Sequence, residues 1–413
     1  MQIHVVQSGQ TLYGIARTYG ISVADLSAAN QINPIQTLVI GQALVIPISG
    51  MYYFVQPGDT LYKIGRRFGV NHLRLAQMNA INPIDPLQIG FRLYIPPAPK
   101  TPVESNAYVE AVNGRFTDAA TSAVVEHAPL LTYLAPFSFE ARPDGSLATF
   151  DVSPIKGASA GSGAVLMMAV TNLENGQFSD AVGEAILNDT SVQDVLLDHI
   201  IEAAGEYGFQ DIHFDFEYLR PEDREPYNAF LKKAAQRIHA ERLLISTALA
   251  PKTSASQTGQ WYTAHDYRAH GEIVDFVVIM TYEWGYSAGP PMAVSPIGPV
   301  RQVLEYAKTE IPANKIMMGQ NLYGYDWTLP FVKGGAYARA ISPQTAISLA
   351  RENHAFIEYD YTAQAPFFYY RDASQKQHVV WFEDARSIQA KFDLLKELSL
   401  RGVSYWKLGW DFP

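Results

Sequence analysis

Apolar and polar residues alternate strictly in one short stretch of the chain, DIHFDFEY, at residues 211–218. Such alternation predicts a β-strand, because successive side chains of a strand point to opposite faces. One face carries an isoleucine and two phenylalanines, and the other face carries His213, Asp215 and Glu217. The neighbouring segments are rich in apolar residues, so we expect both faces of this strand to be buried.

Seven more apolar or aromatic runs have the length of strands, and amphipathic helices separate most of them. The eight predicted strands are 106–112, 130–139, 164–172, 211–218, 243–251, 275–285, 315–325 and 402–410. Repeated strand–helix units are typical of the (β/α)8 TIM barrel, so we predict an α/β fold with this barrel at residues 106–413. Strand-like pieces before the last helix predict a small α+β insertion at approximately 328–384.

The predicted barrel defines where each face of the strand at 211–218 points. Its phenylalanines would face the surrounding helices, and its polar side chains would lie inside the barrel, in steps toward the carboxyl ends of the strands. Active sites of TIM barrels lie at these ends. Glu217 is therefore expected at the catalytic mouth, with Asp215 below it and His213 deeper.

Two buried carboxyl groups a few ångströms apart require a compensating interaction. The polar face of the strand contains no Lys or Arg, and Arg220 falls just outside it. A shared proton would resolve the conflict and raise the pKa of one member of the pair. A glutamate with a raised pKa can act as a general acid. A purely structural polar layer inside the barrel is the alternative.

Residues 4–47 recur without a gap as residues 53–96, with shared glycine, threonine, asparagine and proline positions. The residue pattern of each copy predicts a strand, two helices and a second strand. A Thr or Asp in the first turn supplies the N-cap of the first helix. The copies resemble the LysM module, a small βααβ domain, and we assign them to residues 1–48 and 51–98. A Pro-rich linker at residues 99–105 should be a stiff spacer.

LysM modules bind glycans that contain N-acetylglucosamine, so the resemblance implies contact with peptidoglycan or chitin. The implied glycan-binding positions lie in the loop after the first strand and in the loop after the second helix. They are Gly9, Thr11, Leu12, Asn30, Asn33, Gly58, Asp59, Thr60, Leu61, Asn79, Ile81 and Asn82. The alternative is a repeat that packs on the body and binds no ligand.

Composition narrows the range of partners. The net charge of −10 argues against nucleic acid, although residues 1–100 are net positive and could adhere to an anionic polymer. The chain has no cysteine, which excludes disulfides and thiolate metal sites. No apolar run indicates a membrane span, no signal peptide is visible, and no ligand cluster implies a metal or other cofactor. Nothing in the sequence indicates an oligomeric state.

Three motifs of the barrel segment resemble those of the family 18 glycoside hydrolases. The strand at 211–218 resembles the family's Asp-x-x-Asp-x-Asp-x-Glu pattern, MTYEW at 280–284 resembles its Met-x-Tyr-Asp, and GVSYW at 402–406 resembles the segment that bears its sugar-binding Trp. The family uses no protein nucleophile, because the 2-acetamido oxygen of the substrate attacks the anomeric carbon.

The resemblance implies a role for each site residue. Glu217 would protonate the leaving oxygen and later activate water, and Asp215 would hold the acetamido N–H. Tyr282 would donate a hydrogen bond to the acetamido oxygen, and Trp406 would lie beneath the sugar ring. Simple packing residues are the alternative for Tyr282 and Trp406. Further candidate sugar contacts are Glu283, Asn172, Gln320 and Tyr325.

The sequence departs from the family pattern at several positions, and the predicted third strand lacks the family's Ser-x-Gly-Gly. Gln210 and His213 stand where the family has its first two Asp residues, and Glu283 replaces another Asp. We hypothesise that His213, as a neutral hydrogen-bond partner or as an imidazolium, tunes the Asp215–Glu217 pair and shifts the pH optimum. A core histidine with satisfied hydrogen bonds is the alternative.

The two LysM-like copies, the His-bearing strand and the segment MTYEWGY together resemble the cortical-fragment-lytic enzymes of spore-forming bacteria. The resemblance implies an N-acetylglucosaminidase that hydrolyses spore-cortex peptidoglycan by a substrate-assisted, retaining mechanism. It also implies a location in the spore, at the coat–cortex boundary, which fits the absence of a visible signal peptide. The alternatives are a chitinase and a non-catalytic glycan-binding protein of the spore coat.

Overall fold

Two small units with the same element order form the N-terminal part of the protein, whose computed structural model describes residues 2–410 and 412. The first unit contains β1 (Gln2–Val5), α1 (Leu12–Tyr19), α2 (Val23–Ala29) and β2 (Ala43–Ile46). The second unit contains β3 (Met51–Phe54), α3 (Leu61–Phe68), α4 (His72–Met78) and β4 (Arg92–Ile95). The two strands of each unit pair antiparallel, which confirms the predicted βααβ fold.

The rest of the chain forms the body. The elements through the seventh barrel strand are β5 (Glu104–Glu110), α5 (Asp118–His127), β6 (Tyr133–Phe137), β7 (Phe139–Ala141), β8 (Leu147–Ala148), α6 (Ser153–Ala158), β9 (Val165–Thr171), β10 (Leu173–Glu174), β11 (Gln177–Phe178), α7 (Asp180–Leu187), α8 (Thr190–Tyr207), β12 (Asp211–Asp215), α9 (Arg224–Ala240), β13 (Leu244–Leu249), α10 (Tyr267–Ile273), β14 (Phe276–Ile279), α11 (Ile297–Glu310) and β15 (Ile316–Asn321). The remaining elements are β16 (Gly324–Thr328), β17 (Arg339–Ile341), α12 (Pro343–Glu352), β18 (Glu358–Asp360), β19 (Ala365–Arg371), β20 (Gln377–Trp381), α13 (Ala385–Leu398) and β21 (Gly402–Trp406). Among the described residues, no helix combines the length and the apolar character needed to cross a membrane.

Eight of these strands close into a parallel barrel in the order β5, β6, β9, β12, β13, β14, β15 and β21, and β21 pairs with β5 to complete the ring. The predicted TIM barrel is thereby confirmed. Phe214 and Phe216 pack against Phe230 of α9, with ring centroids 5.2 and 6.2 Å apart. The apolar face of β12 therefore meets the helix layer, and its polar face lies inside the barrel.

The insertion is a five-stranded antiparallel sheet in the order β17, β16, β20, β19 and β18, with α12 beside it. Its first strand begins at Gly324, within the predicted strand 315–325 and ahead of the approximate boundary at 328. Tyr325 therefore belongs to the insertion. At the other boundary, β5 begins at Glu104, so the end of the predicted linker 99–105 already forms barrel strand.

The first LysM-type unit packs directly on the insertion. Val39 shares an apolar cluster with insertion residues, and the C=O of Ile40 accepts a hydrogen bond from the N–H of Ile357 at 2.9 Å. The guanidinium of Arg351 donates to the C=O of Thr37 at 2.8 Å. The second unit contacts the first, where the guanidinium of Arg92 donates to the C=O of Thr18 at 2.7 Å. Among the described residues, the apolar cluster of the second unit contains no residue of the insertion. The barrel, the insertion and the first unit therefore form one packed assembly.

Candidate active site

A carboxylate pair lies at the mouth of the barrel, where strand β12 ends. The last residue of β12 is Asp215, which pairs with Thr171 of β9. Glu217 follows just outside the sheet, and Tyr218 adopts a positive φ of 54°, which turns the chain away from the strand direction. Glu217 is thus at the carboxyl end of the fourth barrel strand, where TIM-barrel active sites lie.

Neighbouring residues hold the backbone around Glu217. The side-chain amide of Asn172 accepts a hydrogen bond from the N–H of Glu217 and donates one to its C=O, both at 2.9 Å. The C=O of Phe216 lies 2.9 Å from Nε2 of His265. A general acid needs a fixed position relative to the bond that it protonates. These contacts provide that fixed position.

The Asp215 and Glu217 side chains are arranged to share a proton. Asp215 is 5% exposed, whereas Glu217 is partly open to solvent. Burial raises the pKa of Asp215 to about 7, and a hydrogen bond with the Glu217 carboxyl partly offsets this rise. Burial also raises the pKa of Glu217 well above its usual value, and the charge and hydrogen bond of Asp215 raise it further. Both shifts favour retention of one proton by the pair, and the stronger rise at Glu217 favours this carboxyl as the proton donor.

The contacts of His213 correct the hypothesis that it holds Asp215. Its Nδ1 lies 2.8 Å from Oγ of Ser246, and its Nε2 lies 2.8 Å from the hydroxyl of Tyr108. Ser246 in turn donates to Asp211 at 2.7 Å. Burial lowers the pKa of His213 to about 3, so the ring is neutral near pH 7. His213 is a core histidine whose two ring nitrogens both have hydrogen-bond partners. It neither bonds to Asp215 nor carries a charge near pH 7, so it does not act on the Asp215–Glu217 pair in either of the two ways that we hypothesised.

Tyr282 follows the sixth barrel strand and lies among the ionisable groups of the mouth. Burial raises the pKa of Tyr282 well above its usual value, and the neighbouring Tyr108, Asp215 and Glu217 raise it further. A Cβ atom on Gly319 would lie 3.0 Å from the Tyr282 ring, so the lack of a side chain at Gly319 leaves room for this ring. The phenol therefore stays protonated and can donate a hydrogen bond to a ligand.

Glu283 is held by two tyrosines from the far side of the site. Its carboxylate accepts hydrogen bonds from the hydroxyls of Tyr323 and Tyr325, the latter at 3.0 Å. Although Glu283 is exposed at the surface, partial desolvation by the surrounding protein raises the pKa of its carboxyl, and the two hydroxyl donors partly offset this rise. The Tyr325 hydroxyl, which the sequence suggested as a sugar contact, is thus bound to Glu283. The insertion contributes to the site by fixing this carboxylate.

Trp406 provides an aromatic surface at the end of β21. Phe137 meets its ring edge-on with centroids 4.8 Å apart, and Tyr108 lies against it at 5.3 Å. Trp406 itself is partly exposed. A supported, partly exposed indole is suited to contact with the apolar face of a sugar ring. The next residue, Lys407, forms an ion pair with Glu110 at the end of β5.

Comparison with protein families decides the class of this protein. The family described as glycosyl hydrolases family 18 matches residues 138–411, and the LysM domain matches residues 4–47 and 53–96. The chain belongs to glycosyl hydrolase family 18. It is therefore a glycoside hydrolase that carries two LysM domains.

Relatives of this family 18 enzyme match it along its whole length. It is 64% identical to the cortical fragment-lytic enzyme of Bacillus subtilis (strain 168), over 100% of this chain and 96% of the relative. The crystal structure of the Bacillus megaterium QM B1551 spore cortex-lytic enzyme SleL has a TM-score of 0.92 at 54% identity, over 100% of this chain and 95% of that chain. A chitinase from Chromobacterium violaceum ATCC 12472 shares the fold, with a TM-score of 0.69 at 24% identity over 75% of this chain and 95% of that chain.

Two residues predicted as sugar contacts of the family 18 site make hydrogen bonds within the protein. Asn172 is buried, and its amide is committed to the backbone of Glu217 and to the C=O of Ser179 at 2.9 Å. It is therefore a positioning residue. Gln320 is 1% exposed, and its Nε2 donates to the C=O of Asn321 at 2.9 Å. Both amide atoms of Asn172 are therefore occupied, whereas Oε1 of Gln320 has no hydrogen-bond partner among the described residues.

Four of the predicted LysM positions are structural. Asn30 accepts from the N–H of Val45 at 2.7 Å and donates to its C=O at 2.8 Å, which ties the second helix to the last strand. Asn79 makes the same pair of bonds in the second domain. Leu12 and Leu61 are buried in the two small cores. The prediction that these four residues contact glycan was wrong, because their side chains hold the domains together.

The other predicted LysM positions lie on loops and are exposed or partly exposed. They are Gly9, Thr11, Asn33, Gly58, Asp59, Thr60, Ile81 and Asn82. The hydroxyls of the two threonines also cap the first helices, by accepting from backbone N–H groups at 3.1 and 3.2 Å. These loop positions remain the candidates for glycan contact.

Sequence reasoning missed several residues of the site. Tyr108 and Glu110 alternate on the predicted strand 106–112, so the inward-face argument applied to β12 would have found them. Lys407 directly follows the recognised Trp motif but resembles no part of it. His265 lies in a loop far from β12 in the sequence, and no local pattern indicates that it reaches Phe216.

Proposed function

We propose that this glycoside hydrolase cuts spore-cortex peptidoglycan after N-acetylglucosamine, by a substrate-assisted mechanism that retains the anomeric configuration. The observation that carries the proposal is the Asp215–Glu217 pair, which keeps a transferable proton at the barrel mouth near Trp406. The relatives at 64% and 54% identity, a cortical fragment-lytic and a spore cortex-lytic enzyme, support this substrate. They also support a location in the spore, and we further propose that the enzyme acts there at the boundary of coat and cortex.

The first step breaks the glycosidic bond. With N-acetylglucosamine on Trp406, the acetamido oxygen attacks the anomeric carbon while Glu217 gives its proton to the leaving oxygen. The product is an oxazolinium ion and a free hydroxyl on the departing glycan. Asp215 accepts a hydrogen bond from the acetamido N–H and stabilises the positive charge, and Tyr282 donates to the acetamido oxygen.

The second step restores the enzyme. A water molecule attacks the anomeric carbon, the bond from that carbon to the acetamido oxygen breaks, and Glu217 takes up the water proton. The anomeric carbon has then been inverted twice, so its configuration is retained. Glu217 regains the proton that the raised pKa of this carboxyl favours, and the cycle can begin again.

The LysM domains are proposed to hold the enzyme on the same polymer. The second domain carries more basic than acidic residues: Lys63, Arg66, Arg67, Arg74 and Arg92 against Asp59 and Asp85. A net positive surface favours binding to an anionic polymer. Peptidoglycan carries carboxylates and chitin does not, so this charge favours peptidoglycan.

Digestion of purified cortex peptidoglycan and of colloidal chitin, followed by mass analysis of the new reducing ends, tests the proposal. The wild type should release fragments with reducing-end N-acetylglucosamine from cortex, and Glu217→Gln should release none. Glu202→Gln, on an exposed position of α8, is the matched control and should behave as the wild type. Equal or greater release from chitin, or cortex cleavage by Glu217→Gln, would contradict the proposal.

A further inference from the structure

The ion pair between Glu110 and Lys407 lies beside the aromatic surface of the site. Glu110 is the last residue of β5, Lys407 follows β21, and these two strands are neighbours. Glu110 shares the inward face of β5 with Tyr108, because they are two positions apart. The Lys407 ammonium also lies 5.7 Å from the centroid of the Trp406 ring. The pair is therefore within reach of a ligand that extends beyond Trp406.

The pair is incompletely satisfied and accessible. The side chains of Lys407 and Glu110 are 19% and 38% exposed. An ammonium group has three N–H donors, and among the described residues Glu110 is the recorded partner of Lys407. Burial lowers the pKa of Lys407. A ligand oxygen could take the remaining donors.

We propose that Lys407 and Glu110 bind the sugar next to the one on Trp406, and that they select a sugar whose lactyl ether presents a carbonyl oxygen. This inference rests on the proposed function. In peptidoglycan every second sugar is a muramic residue with such an ether, which ends in a carboxylate, a peptide amide or a lactam, whereas chitin has none. Lys407 would donate to that oxygen, and Glu110 would accept from an N–H or hydroxyl of the sugar and balance the charge of Lys407.

Binding measurements in the Glu217→Gln background separate this inference from catalysis. The ligands are muramic-containing glycan fragments and chito-oligosaccharides of equal length, titrated calorimetrically against the full chain. Lys407→Met keeps the aliphatic stem but removes the charge. It should weaken binding of the muramic fragments about tenfold or more and change binding of the chito-oligosaccharides less than about twofold. Lys407→Arg should retain most of the discrimination.

Glu110→Gln provides a second test. It shows whether the oxygen that Lys407 binds belongs to a free lactyl carboxylate or to a lactam or peptide amide. Because the variant lacks the Glu110 charge, fragments with a free lactyl carboxylate should bind to it more tightly than to the Glu217→Gln parent. Fragments with a lactam or a peptide amide should show no such increase in affinity. Equal losses for both ligand types in Lys407→Met would overturn the inference and mark the pair as a structural link between β5 and β21. So would unchanged binding of the muramic fragments. Failure of the proposed function would appear differently, as absence of cortex cleavage by the wild type.

Discussion

The two ends of the segment 211–217, which contains strand β12, carry ionisable residues in different surroundings. At the inner end, Asp211 and His213 are fully buried and linked through Ser246. At the mouth, Asp215 lies beneath Glu217, which is partly open to solvent. The inner residues are joined to other strands of the barrel, whereas Glu217 of the outer pair is partly exposed at the barrel mouth.

The difference shows what turns a buried carboxyl group into a catalytic one. Burial raises the pKa of Asp211 and of Asp215 alike, in each case to about 7. A raised pKa is therefore not sufficient. Asp215 is distinguished by a second carboxyl within hydrogen-bonding distance and by its position at the end of the strand. The mutations below separate these two ends.

The largest effect is expected at the mouth, from Glu217→Gln. The variant has no proton to give to the leaving oxygen and no carboxylate to activate water, so kcat should fall about 10³-fold or more. The melting temperature should stay within a few degrees of the wild type, since a neutral amide replaces a carboxyl that is already protonated. Hydrolysis of cortex peptidoglycan together with thermal unfolding checks both statements.

Asp215→Asn should have the next largest effect. It removes the charge that stabilises the oxazolinium ion, so kcat should fall about 10²-fold. It also removes one of the causes that raise the pKa of Glu217, so the alkaline limb of the pH–rate profile should move to lower pH. An alkaline limb that stays in place would show that the pair does not share a proton.

Asp211→Asn should change stability and leave catalysis alone. The folded-state pKa of Asp211, raised by burial to about 7, exceeds the usual value of an unfolded Asp. The stability that this carboxyl contributes is therefore complete below about pH 4 and is lost as the pH rises toward about 7. In Asp211→Asn the free energy of unfolding should fall less over this range. Chemical denaturation at several pH values measures this free energy. Loss of kcat in Asp211→Asn would contradict the view that Asp211 is structural and only the Asp215–Glu217 pair is catalytic.

The smallest effect is expected from His213→Gln. The neutral imidazole joins Tyr108 to Ser246, and an amide preserves only part of this link, so the free energy of unfolding should decrease by about 1–3 kcal/mol. The pH–rate profile should keep its shape, because burial holds the pKa of His213 at about 3. A shift of the pH optimum in this variant would restore the hypothesis that His213 tunes the pair.

The alternation in DIHFDFEY predicted the strand, although the strand ends at Asp215 and not at residue 218. The inward polar face and the position of Glu217 at the mouth required the eight-strand barrel pattern as well. The partners of His213 were not predictable in the same way, because Tyr108 and Ser246 come from the first and fifth barrel strands. Only the closed barrel brings them together. Asn172 shows the same limit, since its amide looks like a sugar ligand until the backbone of Glu217 is placed beside it.

The repeat shows a different limit of sequence reasoning. Shared residues identified the LysM fold and its loops, but identity between the copies marks structural and functional positions alike. Asn30 and Asn79 recur because each lies at the end of a helix and its side-chain amide bonds to the backbone of a strand. Gly41 and Gly90 also recur, yet a Cβ on Gly41 would meet the C=O of Ile357 at 1.8 Å, while a Cβ on Gly90 meets nothing within 4 Å. The different environments of the two copies are visible only in the folded chain.

The central claim is that the sugar supplies the nucleophile while Glu217 supplies the proton. Cortex glycan strands with intact N-acetyl groups and the same strands after chemical N-deacetylation test it most directly. The account predicts that the wild type cleaves the intact strands and leaves the deacetylated strands uncut, with cleavage restored when the amines are acetylated again. Comparable cleavage of the deacetylated strands would contradict it, because hydrolysis would then proceed without the acetamido oxygen.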